Sequence, residues 1–558
     1  MSSAITVPIH ASAAADEIQN TTDLRPATHP TTRNQPSCTI KNVDAVSSSL
    51  SRTKDTQDSS KSPDSSEGND AGAAKNLSAT TIALTMISLC LSVTLSALDM
   101  TIVTTAVPAI VASIHSAAGY VWIGSAFILG FTAVTPIWGS VADLWGRKPI
   151  ILTALTIFLA GSLLCALAPN TDALIAGRAV QGIGASGMGV MVNTIICDMF
   201  SLRDRGLYLA ITSIIWAIGS AVGPIIGGVF ATKLNWQWCF WINLPIGAVV
   251  FVVLLFFLKL PSPNASVLDG LKAIDWIGSG LCLGGTVMIL LGLDFGDVIL
   301  PWSSATIINL IIFGTVVIGI FIVNEWKFAA NPVIPLRLLS SWSKAATYGV
   351  FAQLSVLGVD ALTSGLYLLP LVVSCSLSAA CAGVSIQRTG KYRAPMYVVQ
   401  VLLTLGVGLF IYVEFEQDLT KLFIFEVLTG VGVGLNIEAP IIAAHASTTV
   451  RDTAAVIATM GFLRSIATAI SVVVGGLASQ FDGENAAANV ESIATLANYQ
   501  QIVYVAFAGL ASFLNLFVKI HHLSSVREDP VLGVKRDKSH WTKMEGQVIK
   551  KSSELIDR

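Results

Sequence analysis

Long apolar stretches, separated by short polar loops, recur from residue 80 to residue 520 and constrain this chain more than any single motif in it. A bilayer core offers no water to backbone amides, so a run of about 20 mainly apolar residues must close its hydrogen bonds internally, as a spanning helix. Candidate spans fall at 80–100, 119–141, 149–168, 173–196, 206–231, 239–258, 275–293 and 304–324. Six more fall at 345–363, 366–386, 396–413, 419–442, 454–479 and 499–520. Only 12% of the residues are charged, against about 25% in a soluble globular chain. The expected fold class is an all-α integral membrane protein with about 14 transmembrane helices and both termini on one side.

Loop charge sets the orientation. One set of loops carries Arg147, Lys148, Arg203, Arg205, Lys259, Lys272, Lys327, Arg337, Lys344, Arg388, Lys391, Arg393 and Arg451, while the opposite set carries only Lys233 and Lys421. Cations collect on the cytoplasmic face, which places both tails there. The ninth crossing is short, because Ala345 to Gln387 must hold two spans joined by little more than Thr363-Ser364-Gly365. Omitting it would move Arg388, Lys391 and Arg393 outside, so it is retained. Residues 1–78 are rich in Ser, Thr, Asp and Asn and nearly free of aromatics, which predicts a disordered tail. No charged segment followed by a short apolar run and cleavage site lies near Met1, so the first span is expected to act as the targeting signal. Residues 521–558 form a second polar tail, with basic side chains that can touch anionic lipid.

An internal repeat organises the spans. Gly139, Asp143, Gly146 and Arg147 are echoed 244 residues later by Gly383, Gln387, Gly390 and Lys391. Arg203-Asp204 and Gly227-Gly228 return 248 residues later as Arg451-Asp452 and Gly475-Gly476. Two related six-helix halves are expected at 79–260 and 345–520, with a linker and two inserted helices at 261–344. Duplicated halves around a midplane cavity are a common transporter plan.

Several function classes are excluded. A net charge of -2 argues neither for nor against a nucleic-acid partner, but no basic patch with interleaved aromatics occurs, so that class is set aside. The eight cysteines are scattered, mostly within apolar runs and in no CxxC pair, so neither a disulfide framework nor a metal site is expected. The phosphate-cradling pattern GxxxxGK[ST] is absent, which points to an ion gradient rather than ATP, and no cofactor is implied. No HExxH or GxSxG constellation lies at a membrane interface, so the chain is read as a non-enzyme.

Charges inside spans are costly and mark candidate sites; the cost at a helix centre is at least ~2.5–3.5 kcal/mol. Arg178, near the middle of the fourth span, must face a cavity or a partner, or bond neighbouring carbonyls. Asp99 in the first span is either its counter-charge, a protonatable carrier, or the cap of a helix broken before Pro108. Glu426 and Glu438 share the twelfth span, and Glu438 beside Pro440 is the better proton or substrate candidate. Arg464 in the thirteenth span can neutralise one of these acids, and His445 reads as an interfacial histidine. Gly139 to Lys148 packs glycine and charge between two apolar runs, as a hinge in which Asp143 can pair with a cation. Gly219, Gly223, Pro224, Gly227 and Gly228 make a bare, kinked helix face suited to close packing.

Four motifs in order resemble the major facilitator superfamily, in its fourteen-helix drug:proton antiporter branch of fungal multidrug and toxin efflux pumps. They are Leu98 to Val103 ending in Ala106-Val107-Pro108; Gly139 to Lys148; Leu174, Arg178, Gln181, Gly182 and Gly184; and Gly219, Gly223-Pro224 and Gly227-Gly228. The resemblance covers residues 80–520. It implies a proton-coupled exporter of small organic molecules, working as a monomer by alternating access, in the plasma membrane or in a vacuolar or vesicle membrane. It further implies that Arg178 takes part in proton handling, and Asp99, Gln181, Glu438 and Arg464 are read with it as the candidate proton-coupling and substrate-cavity residues. The glycine–proline face would seal the two halves. Asp143 would form an ion pair across the bundle interface, so that Asp143→Asn should disturb gating more than Gln387→Asn. The chain departs from the pattern at Thr104, where Asn is usual, and at Gln387, where an acid is expected. A nutrient uniporter or importer, and a membrane sensor that no longer moves substrate, are the alternative readings.

Overall fold

The computed structural model describes residues 79–114, 119–258, 267–296, 300–329, 331–356, 369–409, 419–449, 452–480 and 504–518, with Leu260 and Leu523. Every regular element among them is helical: α1 (Ala79–Ile114), α2 (Gly119–Trp145), α3 (Arg147–Ala166), α4 (Thr171–Met199), α5 (Arg205–Lys233), α6 (Trp238–Trp241), α7 (Asn243–Phe257) and α8 (Val267–Ala273). Then follow α9 (Trp276–Phe295), α10 (Ala305–Lys327), a 3-10 turn (Leu336–Leu339), α11 (Trp342–Val356), α12 (Leu369–Thr389), α13 (Arg393–Leu409), α14 (Leu419–Ala446), α15 (Thr453–Gln480) and α16 (Tyr504–Asn515).

Among the described residues nine helical units are long and apolar enough to cross a membrane: α1 to α5, α6 with α7, α9, α10 and α14. The helices α11, α12, α13, α15 and α16 stand at the positions of the ninth, tenth, eleventh, thirteenth and fourteenth expected spans. The N-terminal tail, the C-terminal tail apart from Leu523, Thr363-Ser364-Gly365, Arg451 and the loop before α16 lie outside the described residues. Large apolar side chains such as Ile225, Phe256, Phe313 and Leu377 point outward, as a protein surface solvated by hydrocarbon requires.

Local chemistry explains the ends. Asn170 caps α4 by accepting from the Ala173 amide at 2.8 Å, and Asp275 caps α9 by accepting from the Gly278 amide at 2.8 Å. Gly146 separates α2 from α3 with φ 88°, and Gly390 follows α12 with φ 67°, a left-handed backbone that favours glycine. These are the repeat partners, so the same turn chemistry occurs in both halves. Two boundaries differ from expectation. Helix α1 is not broken before Pro108 but continues to Ile114, because proline removes a single backbone bond from a 36-residue helix packed along α5. The sixth span is divided at Ile242 into α6 and α7, which places Asn243 at a helix start.

The two halves pack by the same rule. Contacts of α3 with α4, α2 with α4 and α1 with α5 recur as α13 with α14, α12 with α14 and α11 with α15. A side chain on Gly182 would strike the Phe127 carbonyl, and one on Gly430 the Leu371 carbonyl, pairs displaced by the 248 and 244 residues of the repeat. The halves meet where α2 packs on α15 and α12 packs on α5, while α9 and α10 pair with each other beside α2 and α15.

Candidate functional site

A polar cluster is sealed inside the first half. Helix α4 carries Arg178 and Gln181 three residues apart on one face, aimed at Asp99 of α1. Arg178 Nη1 donates to Asp99 Oδ2 at 2.6 Å and to Gln181 Oε1 at 2.8 Å, while its Nε donates to the Ile123 carbonyl at 3.1 Å. Asp99 Oδ1 accepts from Gln181 Nε2 at 2.6 Å and from Asn243 Nδ2 at 2.8 Å. Ser162 Oγ of α3 accepts from Gln181 at 2.8 Å and fixes the amide orientation. Asp99 is 0% exposed and Arg178 1% exposed. Burial of two charges is tolerated because each is paired and further hydrogen-bonded. The guanidinium also lies over the Phe127 ring, with Cζ 4.4 Å from its centroid.

Of the two partners weighed for Arg178, an acid and a carbonyl, the structure supplies both. Ser162, Asn243 and Phe127 were missed by sequence reasoning. Asn243, a lone amide inside the apolar unit Trp238–Phe257, was the available signal.

A cavity of about 240 Å³ lies between α1, α2, α4 and α5 of the first half and α14 and α15 of the second. It is lined mostly by apolar and hydroxyl side chains, and Phe127 joins it to the Asp99–Arg178 cluster behind. Glu438 and Arg464 face this cavity; Glu426 is buried elsewhere on α14. Glu438 Oε1 accepts from Ser213 Oγ of α5 at 2.5 Å, a bond between the two halves. Arg464 makes no ion pair within 4.0 Å among the described residues, and its charge acts on Glu438 across the cavity without bonding it.

At the loop motif Arg147 Nη1 binds Asp143 Oδ1 at 2.8 Å and the Ala142 carbonyl at 2.9 Å, and its Nε binds Asp198 Oδ2 of α4 at 2.7 Å. Lys148 Nζ donates to the Leu255 carbonyl at 2.7 Å. Asp143 therefore pairs within its own motif rather than across the halves, because a guanidinium four residues on reaches it first. Gly139 instead makes the crossing, abutting Ala454 and Ala458 of α15.

The second copy crosses through its side chain. Gln387 Nε2 donates to Asp204 Oδ1 at 3.0 Å, and Arg203 donates to the Gln387 and Arg388 carbonyls at 2.5 and 2.6 Å. In the equivalent place Asp143 would face Asp452, acid against acid, and Arg337 from the segment after α10 pairs with Asp452 instead. The amide at Gln387 is thus explained by its acidic partner, since only a donor can bridge to Asp204. Nearby, Cys197 of α4 meets His445 of α14 at 3.6 Å, again between halves.

With Cys197 as the sole thiol, Gln387→Ala is expected to speed its modification by a water-soluble maleimide by about tenfold, as loss of a charge-assisted bond of ~1.5 kcal/mol would. Asp143→Asn should leave that rate within about twofold, because its partner Arg147 keeps Asp198.

The glycine–proline face of α5 packs on α1. A side chain at Gly223 would overlap Thr101 and one at Gly227 the Ile102 carbonyl, whereas Gly228 faces open space. Thr105 Oγ1 donates to the Pro224 carbonyl at 3.1 Å.

Residues 89–472 match the family model described as Major Facilitator Superfamily. The chain is 41% identical over 519 residues to the efflux pump dotC of Dothistroma septosporum (strain NZE10 / CBS 128990), covering 84% of this chain and 90% of that one. It is 39% identical over 492 residues to the MFS-type transporter ppz2 of Metarhizium majus (strain ARSEF 297), covering 85% and 84%. Among solved structures, the proton:xylose symporter XylE superposes with a TM-score of 0.52 at 13% identity, over 79% of this chain and 96% of that one, a likeness of fold.

Proposed function

The chain belongs to the Major Facilitator Superfamily, a multi-pass membrane transporter of small molecules, and from that premise we propose that it is a proton-coupled exporter of small organic molecules working by alternating access. The efflux-pump name of a relative at 41% identity supports export. The observation that carries proton coupling is the buried Asp99–Arg178–Gln181 cluster, which adjoins the cavity at Phe127.

In this reading a proton taken up by Asp99 discharges the carboxylate that holds Arg178. The guanidinium then shifts over Phe127 and alters the cavity wall. Glu438, bonded across the halves to Ser213, senses whether they are closed. Gly223 and Gly227 keep α1 and α5 in contact while the halves rock. A proton entering down 100 mV releases ~2.3 kcal/mol, enough to drive expulsion. The loop charges favour both tails in the cytoplasm, and the chain is read as a monomer in the plasma membrane or in a vacuolar or vesicle membrane.

The test is a panel of organic solutes in inside-out vesicles with and without a pH gradient. Substrate-dependent proton flux, with accumulation abolished by a protonophore, is the expected result. Movement down the solute gradient that ignores pH would make the chain a uniporter, and no movement of any solute would favour a sensor; either sinks the exporter reading.

A further inference from the structure

We propose that the cavity between the halves takes organic acids: compact, largely apolar and often aromatic molecules bearing one ionised carboxylate or phenolate, held by the guanidinium of Arg464. The proposal rests on the transport reading above and names its substrate class. Of the described residues lining the cavity only Glu438 and Arg464 carry ionisable side chains, and they are presented in opposite ways. Glu438 is 2% exposed and spends one oxygen on Ser213. Arg464 is exposed to the cavity, and among the described residues no acid lies within 4.0 Å of it and none accepts from its guanidinium.

Two other buried arginines hold an acid, while a third, Arg205, donates to the Phe200 carbonyl. Arg147 has Asp198 at 2.7 Å and Arg178 has Asp99 at 2.6 Å, each pair buried. A charge at membrane depth demands a partner. The fold bonds an acid to Arg147 and to Arg178, whereas among the described residues Arg464 has only the more distant charge of Glu438 and keeps its guanidinium open to a solute in the cavity. A guanidinium fork matches a carboxylate with two parallel bonds, while it repels a cation.

The walls fit the rest of such a molecule. Phe127 and Phe131 stack with centroids 6.3 Å apart, and both line the cavity with Trp216, offering flat apolar faces. Asn193, Ser465 and Thr468 supply a few polar contacts beside Arg464.

The purified full-length protein would be titrated with two dyes on one xanthene scaffold, anionic fluorescein and cationic rhodamine 6G, with binding read by fluorescence anisotropy. Fluorescein should bind at least about tenfold tighter. Arg464→Gln should raise its dissociation constant by about tenfold or more and erase the preference, while Arg464→Lys, which keeps the charge but not the fork, retains part of it. Competition on the wild-type protein removes any dependence on the variant's folding: 1-naphthoate should displace bound fluorescein and the neutral 1-naphthalenemethanol should not. An unchanged dye preference in Arg464→Gln, a wild-type preference for the cation, absence of binding by either dye, or equal displacement by the two naphthalenes overturns the proposal. Binding needs no gradient, so Arg464-dependent anion binding without pH-driven transport sinks the exporter reading and leaves this site standing. Gradient-driven transport whose charge preference ignores Arg464 does the reverse.

Discussion

Arg178→Ala is expected to abolish proton-driven export while the protein still inserts in the membrane. The substitution strands Asp99 at 0% exposure with its guanidinium partner gone. Removing one member of a buried pair costs about 3–5 kcal/mol, more than the pair itself contributes, because the remaining charge is uncompensated. A stability defect and a coupling defect are therefore superimposed in this variant, and a second one separates them. The neutral pair Asp99→Asn with Arg178→Gln leaves amides that can bond Gln181 and Asn243, so thermal stability should return to near the wild-type value. Transport should not return, because neither group can carry or answer a proton. Solute accumulation and proton flux in reconstituted vesicles, alongside thermal melting, make the measurement. Gradient-driven export by the neutral pair at wild-type rate would remove this cluster from the mechanism.

Gly223→Val and Gly227→Val should be nearly as damaging, and Gly228→Val close to silent. The three glycines look interchangeable in the sequence. In the structure a Cβ at Gly223 collides with Thr101 and one at Gly227 with the Ile102 carbonyl, while nothing lies within 4 Å of one at Gly228. Overpacking a tight contact costs about 1–3 kcal/mol, and backbone atoms cannot swing aside as a flexible side chain would. The α1–α5 contact must open by displacement of a whole helix, and α1 carries Asp99, so the Asp99–Arg178 distance of 2.6 Å is lost with it. Transport rate and thermal stability across the three variants check the order. Comparable losses at all three positions would show that the α1–α5 contact is not what the motif protects.

Much of the candidate site was legible as chemistry but not as geometry. Asp99, Arg178, Glu438 and Arg464 stand out because a charge within an apolar run is expensive wherever it lies. Their partners do not stand out. Ser162 reads as an ordinary helical serine, and its hydroxyl does donate to its own helix at the Phe158 carbonyl, yet it also anchors Gln181. Asp143 illustrates the opposite failure, since a partner across the halves was expected while the nearest cation, Arg147, was already four residues away. Arg337 was read only as a loop cation marking the cytoplasmic side, and its pairing with Asp452 joins residues 115 positions apart.

The sequence by itself determined the class of solvent, the helical fold and the twofold repeat. The reason is that hydrocarbon imposes a one-dimensional rule, a span length with self-satisfied backbone bonds, and a repeat of glycine turns preserves its own spacing. Only the tertiary structure decided that Arg178 is bonded to Asp99 while Arg464, among the described residues, has no acid within 4.0 Å. Which face each helix presents depends on its rotation about its own axis. That rotation is set by contacts such as Gly182 on Phe127 and Gly223 on Thr101, between residues 55 and 122 positions apart, which no local pattern encodes.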